Sequence, residues 1–197
     1  MRQAVIAAMV AAAAAIAAAP ARAATAPPAG IADYSYIQVQ RVEWGNSRYF
    51  GDSAKGNGAR FSFQWGQHAF FYGNFDRLSF DNGPGYLYRT GVGLGYAQTQ
   101  GKVSAYIKAG YYRTRLSGAA GGQRSYYWEF AYGMRAALNQ WFSLQGELYT
   151  DLHPEFGSRP WGVRFGAAAA FGPVSLHLVE DHNRDVNSLR ASLRFAF

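Results

Sequence analysis

The residues best suited to chemistry lie in two segments near the C-terminus that combine acidic side chains with histidine. They are Asp151, His153 and Glu155 in the first segment, with Asp181, His182 and Asp185 in the second. An Asp–His pair that faces carboxylates can activate a water molecule, and two histidines with carboxylates can hold a divalent metal ion. Asp, His and Asn are also ordinary loop residues, so the pattern favours solvated loops over a catalytic or metal site.

A hydrolase nevertheless remains the alternative that these segments define. The pairing of Asp151 and His153 with Asp181 and His182 resembles the site of omptin proteases, which are ten-stranded barrels with much longer loops. A lipase-like site would need a serine near a histidine and an acid. Ser158 is close in sequence to His153 and Glu155, but no nucleophile-elbow motif surrounds it. We therefore expect no enzyme activity and no cofactor.

Composition limits the classes of fold that could position such residues. The 197 residues are 49% hydrophobic, 17% aromatic and 16% charged, with 23 Gly and no Cys. A chain so aromatic and so poor in charge buries surface rather than staying disordered. The absence of cysteine excludes disulfide scaffolds, catalytic thiols and Cys-based metal sites. Aromatic and glycine enrichment at low charge is typical of β-sheet.

The N-terminus has the features of an export signal. Arg2 precedes an uncharged, Ala-rich run from residue 4 to residue 19, which Pro20 ends. A small-x-small motif follows and predicts cleavage after Ala23. We therefore expect a signal peptide over 1–23, a flexible lead-in over 24–33 and one folded domain over 34–197. The alternative is an uncleaved anchor helix, for which the run is short and weakly apolar.

The remainder of the chain alternates between apolar and polar residues in ten segments. In one of them Val103, Ala105, Ile107, Ala109 and Tyr111 oppose Ser104, Tyr106, Lys108 and Gly110. A two-residue period is that of a strand with one apolar face, and each segment has about the length of a tilted membrane-spanning strand, roughly 9–11 residues. Tight turns alternate with longer loops, as in bacterial outer-membrane barrels. The prediction is an all-β, antiparallel, up-and-down transmembrane barrel of about ten strands.

Eight strands is the alternative, if Tyr34–Trp44 or Val174–Glu180 pairs poorly. The first of these segments changes phase near Gln40 and Arg41, which predicts a β-bulge. The sequence also leaves open whether the barrel oligomerises.

Three features place the apolar face outside, in the membrane. The predicted polar face carries a lumen charge network of Arg60, Lys108, Glu129, Arg135, Glu147, Arg164, Arg190 and Arg194. The tryptophans fall at strand ends, where amphipathic rings sit at the bilayer interface; they are Trp44, Trp65, Trp128, Trp141 and Trp161. The last strand ends with Phe195 and Phe197, like the C-terminal signature that outer-membrane assembly machinery reads. We therefore expect the outer membrane of a Gram-negative bacterium, with a secreted soluble barrel as the alternative.

The lumen charges fit either a plug or a pore. Counting along the hairpin puts Arg164 level with Tyr149, near Glu147 and Asp151, which favours a plug. Water-filled porins need about 16–18 strands, so a ten-stranded barrel is narrow. The inward glycines Gly91, Gly93 and Gly95 would instead leave space. We expect a plugged barrel, with a small, mildly anion-favouring channel as the alternative.

Three short motifs resemble the small outer-membrane barrel family once described as diffusible quorum and immune-activating signals. They are Tyr34-Ser35-Tyr36, Gly73-Asn74-Phe75-Asp76 and Gly91-Val92-Gly93-Leu94-Gly95-Tyr96. The resemblance implies a barrel with a structural or surface role, in envelope integrity, adhesion or host contact, and it specifies no functional residue.

The partners that we expect follow from this placement. They are outer-membrane lipid and lipopolysaccharide, the assembly machinery through Phe197, and an extracellular or host-surface partner. Loop cations are candidates to contact lipopolysaccharide phosphates; these are Arg48, Lys55, Arg124 and Arg159. The formal net charge of +7 is spread along the chain without a basic run, so we expect no nucleic-acid partner.

Overall fold

A computed structural model of the chain describes residues 34–45, 53–118, 122–152, 161–183 and 187–197. The predicted signal peptide and lead-in lie outside these residues, as do His153, Glu155, Ser158 and Asp185. Ten strands make up nearly all of the described chain. They are β1 (Tyr36–Trp44), β2 (Ala54–Trp65), β3 (Ala69–Phe80), β4 (Gly85–Gln100), β5 (Val103–Gly118), β6 (Arg124–Ala137), β7 (Phe142–Leu152), β8 (Trp161–Phe171), β9 (Val174–Asn183) and β10 (Asn187–Ala196).

The ten strands form a closed antiparallel barrel. Each strand pairs with its neighbours in sequence, and β1 closes the barrel by pairing with β10 from Tyr36 opposite Ala196 to Trp44 opposite Ser188. Closure leaves no sheet edge within the barrel. The ten-stranded prediction is therefore confirmed, and the eight-stranded alternative is wrong because β1 and β9 each pair on both sides.

The predicted bulge in β1 is absent. The register of β1 with both neighbours runs without a break from Tyr36 to Trp44. The phase changes because the inward residues are polar at Gln38 and Gln40 but apolar at Val42 and Trp44. An apolar inner lining at that end of the barrel therefore explains the sequence pattern that suggested a bulge.

The two faces of the barrel have opposite chemistry. Large apolar side chains point outward over most strands, with Trp65 at 80% and Trp161 at 70% exposure. Buried charged side chains point inward, including Glu129 at 1% exposure. A soluble barrel would bury its apolar side chains, so the outer surface is the one that contacts lipid. The described residues contain no helix of the length and hydrophobicity that a membrane crossing would require.

Tight turns connect the strands at one end, which we call the turn end, and longer loops connect them at the other, the loop end. Three of the turns contain a glycine with positive φ, which a side chain would strain; these are Gly66, Gly101 and Gly172. In the fourth, Asn139 Oδ1 accepts hydrogen bonds from the backbone N–H groups of Trp141 and Phe142 at 2.8 and 2.9 Å. Short turns of this kind face the periplasm in outer-membrane barrels.

Candidate functional site in the barrel interior

Arg164 on β8 lies at the centre of a buried group of charges. Strand pairing places Glu147 of β7 and Asp181 of β9 directly opposite it on either side. Its guanidinium donates to Asp181 Oδ2 at 2.9 Å, to Glu129 Oε2 of β6 at 2.7 Å, and also to Glu147 Oε1. One cation thus connects carboxylates from three other strands across the interior.

Three further cations complete this group. Lys108 Nζ lies 2.7 Å from Glu147 Oε2, Arg89 Nη2 lies 3.3 Å from Glu129 Oε2, and Arg190 Nη2 lies 2.6 Å from Asp181 Oδ2. We call the seven residues the charge cluster: Arg89, Lys108, Glu129, Glu147, Arg164, Asp181 and Arg190. Buried charges are tolerated when each is paired and hydrogen-bonded, and the carboxylates here meet that condition.

Tyrosines from neighbouring strands supply additional donors to the same carboxylates. The hydroxyl of Tyr149 donates to Asp181 Oδ1 at 2.6 Å, and that of Tyr106 donates to Glu147 Oε2 at 2.9 Å. The guanidinium of Arg164 also lies 3.7 Å from the centre of the Tyr149 ring, which adds a cation–π contact. The carboxylates are committed to these partners, which suits a structural plug better than acid–base chemistry.

The inward glycines do not leave open space, contrary to the expectation from the sequence. Five of them lie directly opposite an aromatic residue whose ring covers them. The pairs are Gly91 with Tyr112, Gly93 with Tyr72, Gly95 with Phe70, Gly133 with Tyr106, and Gly162 with Tyr149. A Cβ placed on any of these glycines would overlap the facing ring. The glycines therefore allow large rings to lie flat on the barrel wall and fill the interior.

Apolar and aromatic residues fill the two ends of the interior. At the turn end, Tyr34 stacks on Phe70 with ring centres 4.6 Å apart, and its hydroxyl lies 2.9 Å from Ser104 Oγ. At the loop end, Val42, Ala54, Leu78 and Leu87 are buried together, and Trp44, Phe80 and Leu116 pack against them. The rings of the turn end and the charge cluster line a cavity of about 70 Å³. That volume has room for a few water molecules.

The other predicted lumen residues also point inward, but they lie outside the charge cluster. Arg135 lies over the rings of Tyr34 and Tyr106, with its Cζ 4.8 and 5.3 Å from their centres. Arg194 donates to Gln38 Oε1 from Nε and Nη2 at 3.1 and 2.9 Å. Arg60 lines the cavity. No carboxylate among the described residues lies within ion-pair distance of these three arginines.

Four of the five tryptophans point outward near strand ends: Trp65, Trp128, Trp141 and Trp161. Trp44 differs, because it packs against the inward apolar residues at the loop end. The two C-terminal phenylalanines also differ from each other. Phe195 is buried on β10, whereas Phe197 is 69% exposed and donates a backbone hydrogen bond to Ser35 O at 3.1 Å.

Among the described candidate catalytic residues, the structure separates Asp181 from His182. Asp181 points inward to Arg164 and Arg190, while His182 points outward, where its Nε2 lies 2.9 Å from Glu180 Oε1. Adjacent residues of a strand face opposite sides, so these two cannot share a site. Asp151 is buried in the interior, and His153 lies outside the described residues. The described residues contain no group of three His, Asp or Glu side chains that could hold a metal ion.

A closed ten-stranded barrel with a lipid-facing apolar surface and a filled polar interior is an outer-membrane β-barrel protein. No protein-family model matches the chain, and no curated protein matches it in sequence. Solved structures do match in fold. The NanC porin superposes with a TM-score of 0.53 at 10% identity, over 82% of this chain and all of that one.

Two other solved structures also match in fold. Neisserial surface protein A gives a TM-score of 0.43 at 21% identity, over 82% of this chain and 96% of that one. The KdgM porin gives a TM-score of 0.48 at 8% identity, over 81% of this chain and 99% of that one. Two of these three neighbours are named as porins and one as a surface protein. At such identities the likeness concerns the fold alone.

Proposed function

We propose that this protein is a closed outer-membrane barrel with a structural or surface-interaction role, in envelope integrity, adhesion or host contact. The observation that carries the proposal is the position of Arg164, which joins carboxylates from β6, β7 and β9 across the interior. Each of those carboxylates also contacts at least one further cation and one tyrosine hydroxyl. In this proposal the interior holds the barrel together, and the outer surface and loops perform the function.

Energetics support a barrel that stays closed. Displacing Arg164 would leave Glu129, Glu147 and Asp181 close together without their shared cation. Breaking a buried ion pair in this way costs about 3–5 kcal/mol. An open state with that cost would have a population below about 1%. Passage would also require the aromatic residues at the turn end and the apolar residues at the loop end to move.

The resemblance of Tyr34-Ser35-Tyr36 and the two glycine-containing motifs to barrels once described as diffusible signals supports a role at the cell surface. The proposal includes export with cleavage after Ala23 and insertion by the assembly machinery through Phe197. The exposed ring of Phe197 at the end of the last strand is available for such recognition.

A solute-flux assay tests the closed interior. Liposomes that contain the refolded protein should release a small trapped sugar no faster than protein-free liposomes, because side chains fill the lumen. A triple variant, Glu129→Ala, Glu147→Ala and Arg164→Ala, removes the central side chains and should increase release. Its heat-dependent shift on a gel would verify folding. Release from the wild type at the rate of the folded triple variant would contradict a closed barrel.

A narrow anion channel is the second candidate function, and one observation favours it. Arg60, Arg135 and Arg194 line the internal cavity without a carboxylate partner among the described residues. A basic constriction favours anions. Chloride flux through the wild type that falls when Arg135 is replaced by methionine would support this candidate over the closed barrel.

A further inference from the structure

Three arginines lie in one line across the outer face near the loop end. Arg77 of β3 is opposite Tyr88 of β4, Tyr88 is opposite Arg115 of β5, and Arg115 is opposite Arg124 of β6. We call Arg77, Arg115 and Arg124 the arginine row. Since neighbouring strands are about 4.8 Å apart, the row places three cations within about 15 Å on the outside of the barrel.

The arginine row lacks the acidic neighbours that the outward cations Arg41 and Lys55 have. Arg41 lies 3.9 Å from Glu43, and Lys55 lies 2.7 Å from Asp81. No carboxylate of the described residues lies within ion-pair distance of any member of the row. Like charges directly opposite each other on paired strands destabilise a sheet. Arg115 and Arg124 are such a pair. An anion bound between them would remove that cost.

Aromatic rings hold part of this surface in a form suited to phosphate. The guanidinium of Arg77 lies 4.3 Å from the ring centre of Tyr86 and 5.7 Å from that of Tyr88. A guanidinium stacked by its face keeps its N–H edges available, and those edges match phosphate in a bidentate geometry.

The position of the arginine row along the barrel axis favours a membrane lipid as the source of the phosphate. On the side of the row nearer the turn end, Tyr111 and Trp128 are opposite each other and exposed on the outer face, with ring centres 5.2 Å apart. Exposed tyrosine and tryptophan rings mark the boundary between acyl chains and headgroups. The row lies within that boundary, toward the loop end, because the exposed ring of Tyr86 lies on its loop side.

We propose that the arginine row binds the phosphate groups of a phosphorylated glycolipid in the outer leaflet, of the lipopolysaccharide type. Arg115 and Arg124 share one phosphate, and Arg77 approaches from the other side of Tyr88. The sequence suggested Arg124 as a contact for lipopolysaccharide phosphate, and the structure adds Arg77 and Arg115 to the proposed site. Lys55 is already paired with Asp81, and Arg48 and Arg159 lie outside the described residues. The inference rests on the proposed outer-membrane placement and is independent of whether the lumen is closed.

A binding titration of the refolded full chain in detergent micelles tests this site. The probe is bisphosphorylated lipid A, with its dephosphorylated form and inorganic phosphate as the other ligands. The test variant is Arg115→Gln with Arg124→Gln. The control is Lys55→Gln with Lys102→Gln, where Lys102 is an exposed residue of the turn between β4 and β5; it removes the same charge away from the row. We expect the test variant to weaken lipid A binding by about tenfold or more and the control by less than about twofold.

The same variants separate binding from folding. Without lipid A, the test variant should be as resistant to thermal unfolding as the wild type or more so, because a like-charge pair is gone. With lipid A, only the wild type and the control should gain resistance. If the double variant does not fold, Arg124→Gln alone at the start of β6 should weaken binding about threefold.

Three outcomes would overturn the proposal. They are equal weakening by the test and control variants, equal binding of the dephosphorylated lipid, and displacement of lipid A by millimolar inorganic phosphate. The last would indicate a site for free phosphate. None of these outcomes depends on flux through the barrel, so this proposal and the closed interior fail separately.

Discussion

Replacement of Arg164 by methionine should lower the free energy of unfolding by about 3–5 kcal/mol. The substitution keeps an unbranched apolar stem but leaves Glu129, Glu147 and Asp181 without the cation that all three contact. Arg89 would remain next to Glu129, Arg190 next to Asp181, and Lys108 next to both Glu147 and Glu129. Urea unfolding of the refolded protein, followed by tryptophan fluorescence, measures the change.

Arg135→Met is the matched control for this prediction. It removes the same charge from the interior, but Arg135 lies against Tyr34 and Tyr106 and has no carboxylate within ion-pair distance among the described residues. We expect a loss of about 1 kcal/mol from its cation–π contacts. Equal losses from Arg164→Met and Arg135→Met would show that the pairing with carboxylates contributes nothing specific.

Gly162→Val should destabilise the barrel by about 3 kcal/mol, because the new side chain would occupy the position of the Tyr149 ring. Tyr149 would have to leave the wall, and its hydrogen bond to Asp181 and its contact with Arg164 would be lost together. The effect should appear in the same urea experiment, without a change in the charge of the protein.

Gly146→Val on the adjacent strand separates ring displacement from a general effect of valine. Gly146 points outward, and the nearest atoms to an added Cβ belong to Phe165 at 3.9 Å, an ordinary contact. Valine also has a high strand propensity, so stability should stay the same or rise by less than about 1 kcal/mol. A similar loss from both substitutions would mean that the packing of Tyr149 over Gly162 is not what stabilises this wall.

The fold could be predicted because each strand carries its own signal. Two-residue alternation assigned the inward and outward faces of most strands, and alternating turns and loops gave the topology. Within β8–β9, simple counting about the tight turn at Gly172 and Pro173 pairs Arg164 with Asp181. That count was available from the sequence, but the position of Asp181 beside His182 suggested a rim site instead.

The interior could not be predicted to the same extent, because alternation gives the face of a residue but not its height relative to other strands. Across the longer loop between β7 and β8, counting put Arg164 level with Tyr149, whereas the structure places it opposite Glu147, two residues away. The covering of glycines by aromatic rings depends on the same register. The insertion of Tyr34 between Phe70 and Arg135 depends on contacts far apart in sequence.

Single-channel recording from the refolded, heat-modifiable protein in a planar lipid bilayer tests the closed interior most directly. We predict a silent bilayer for the wild type, because the charge cluster and the residues at both ends fill the lumen. Discrete current steps from correctly folded wild-type protein would contradict the closed barrel. A further change of their size or selectivity on replacing Arg164 or Lys108 would show that the charge cluster lines a channel.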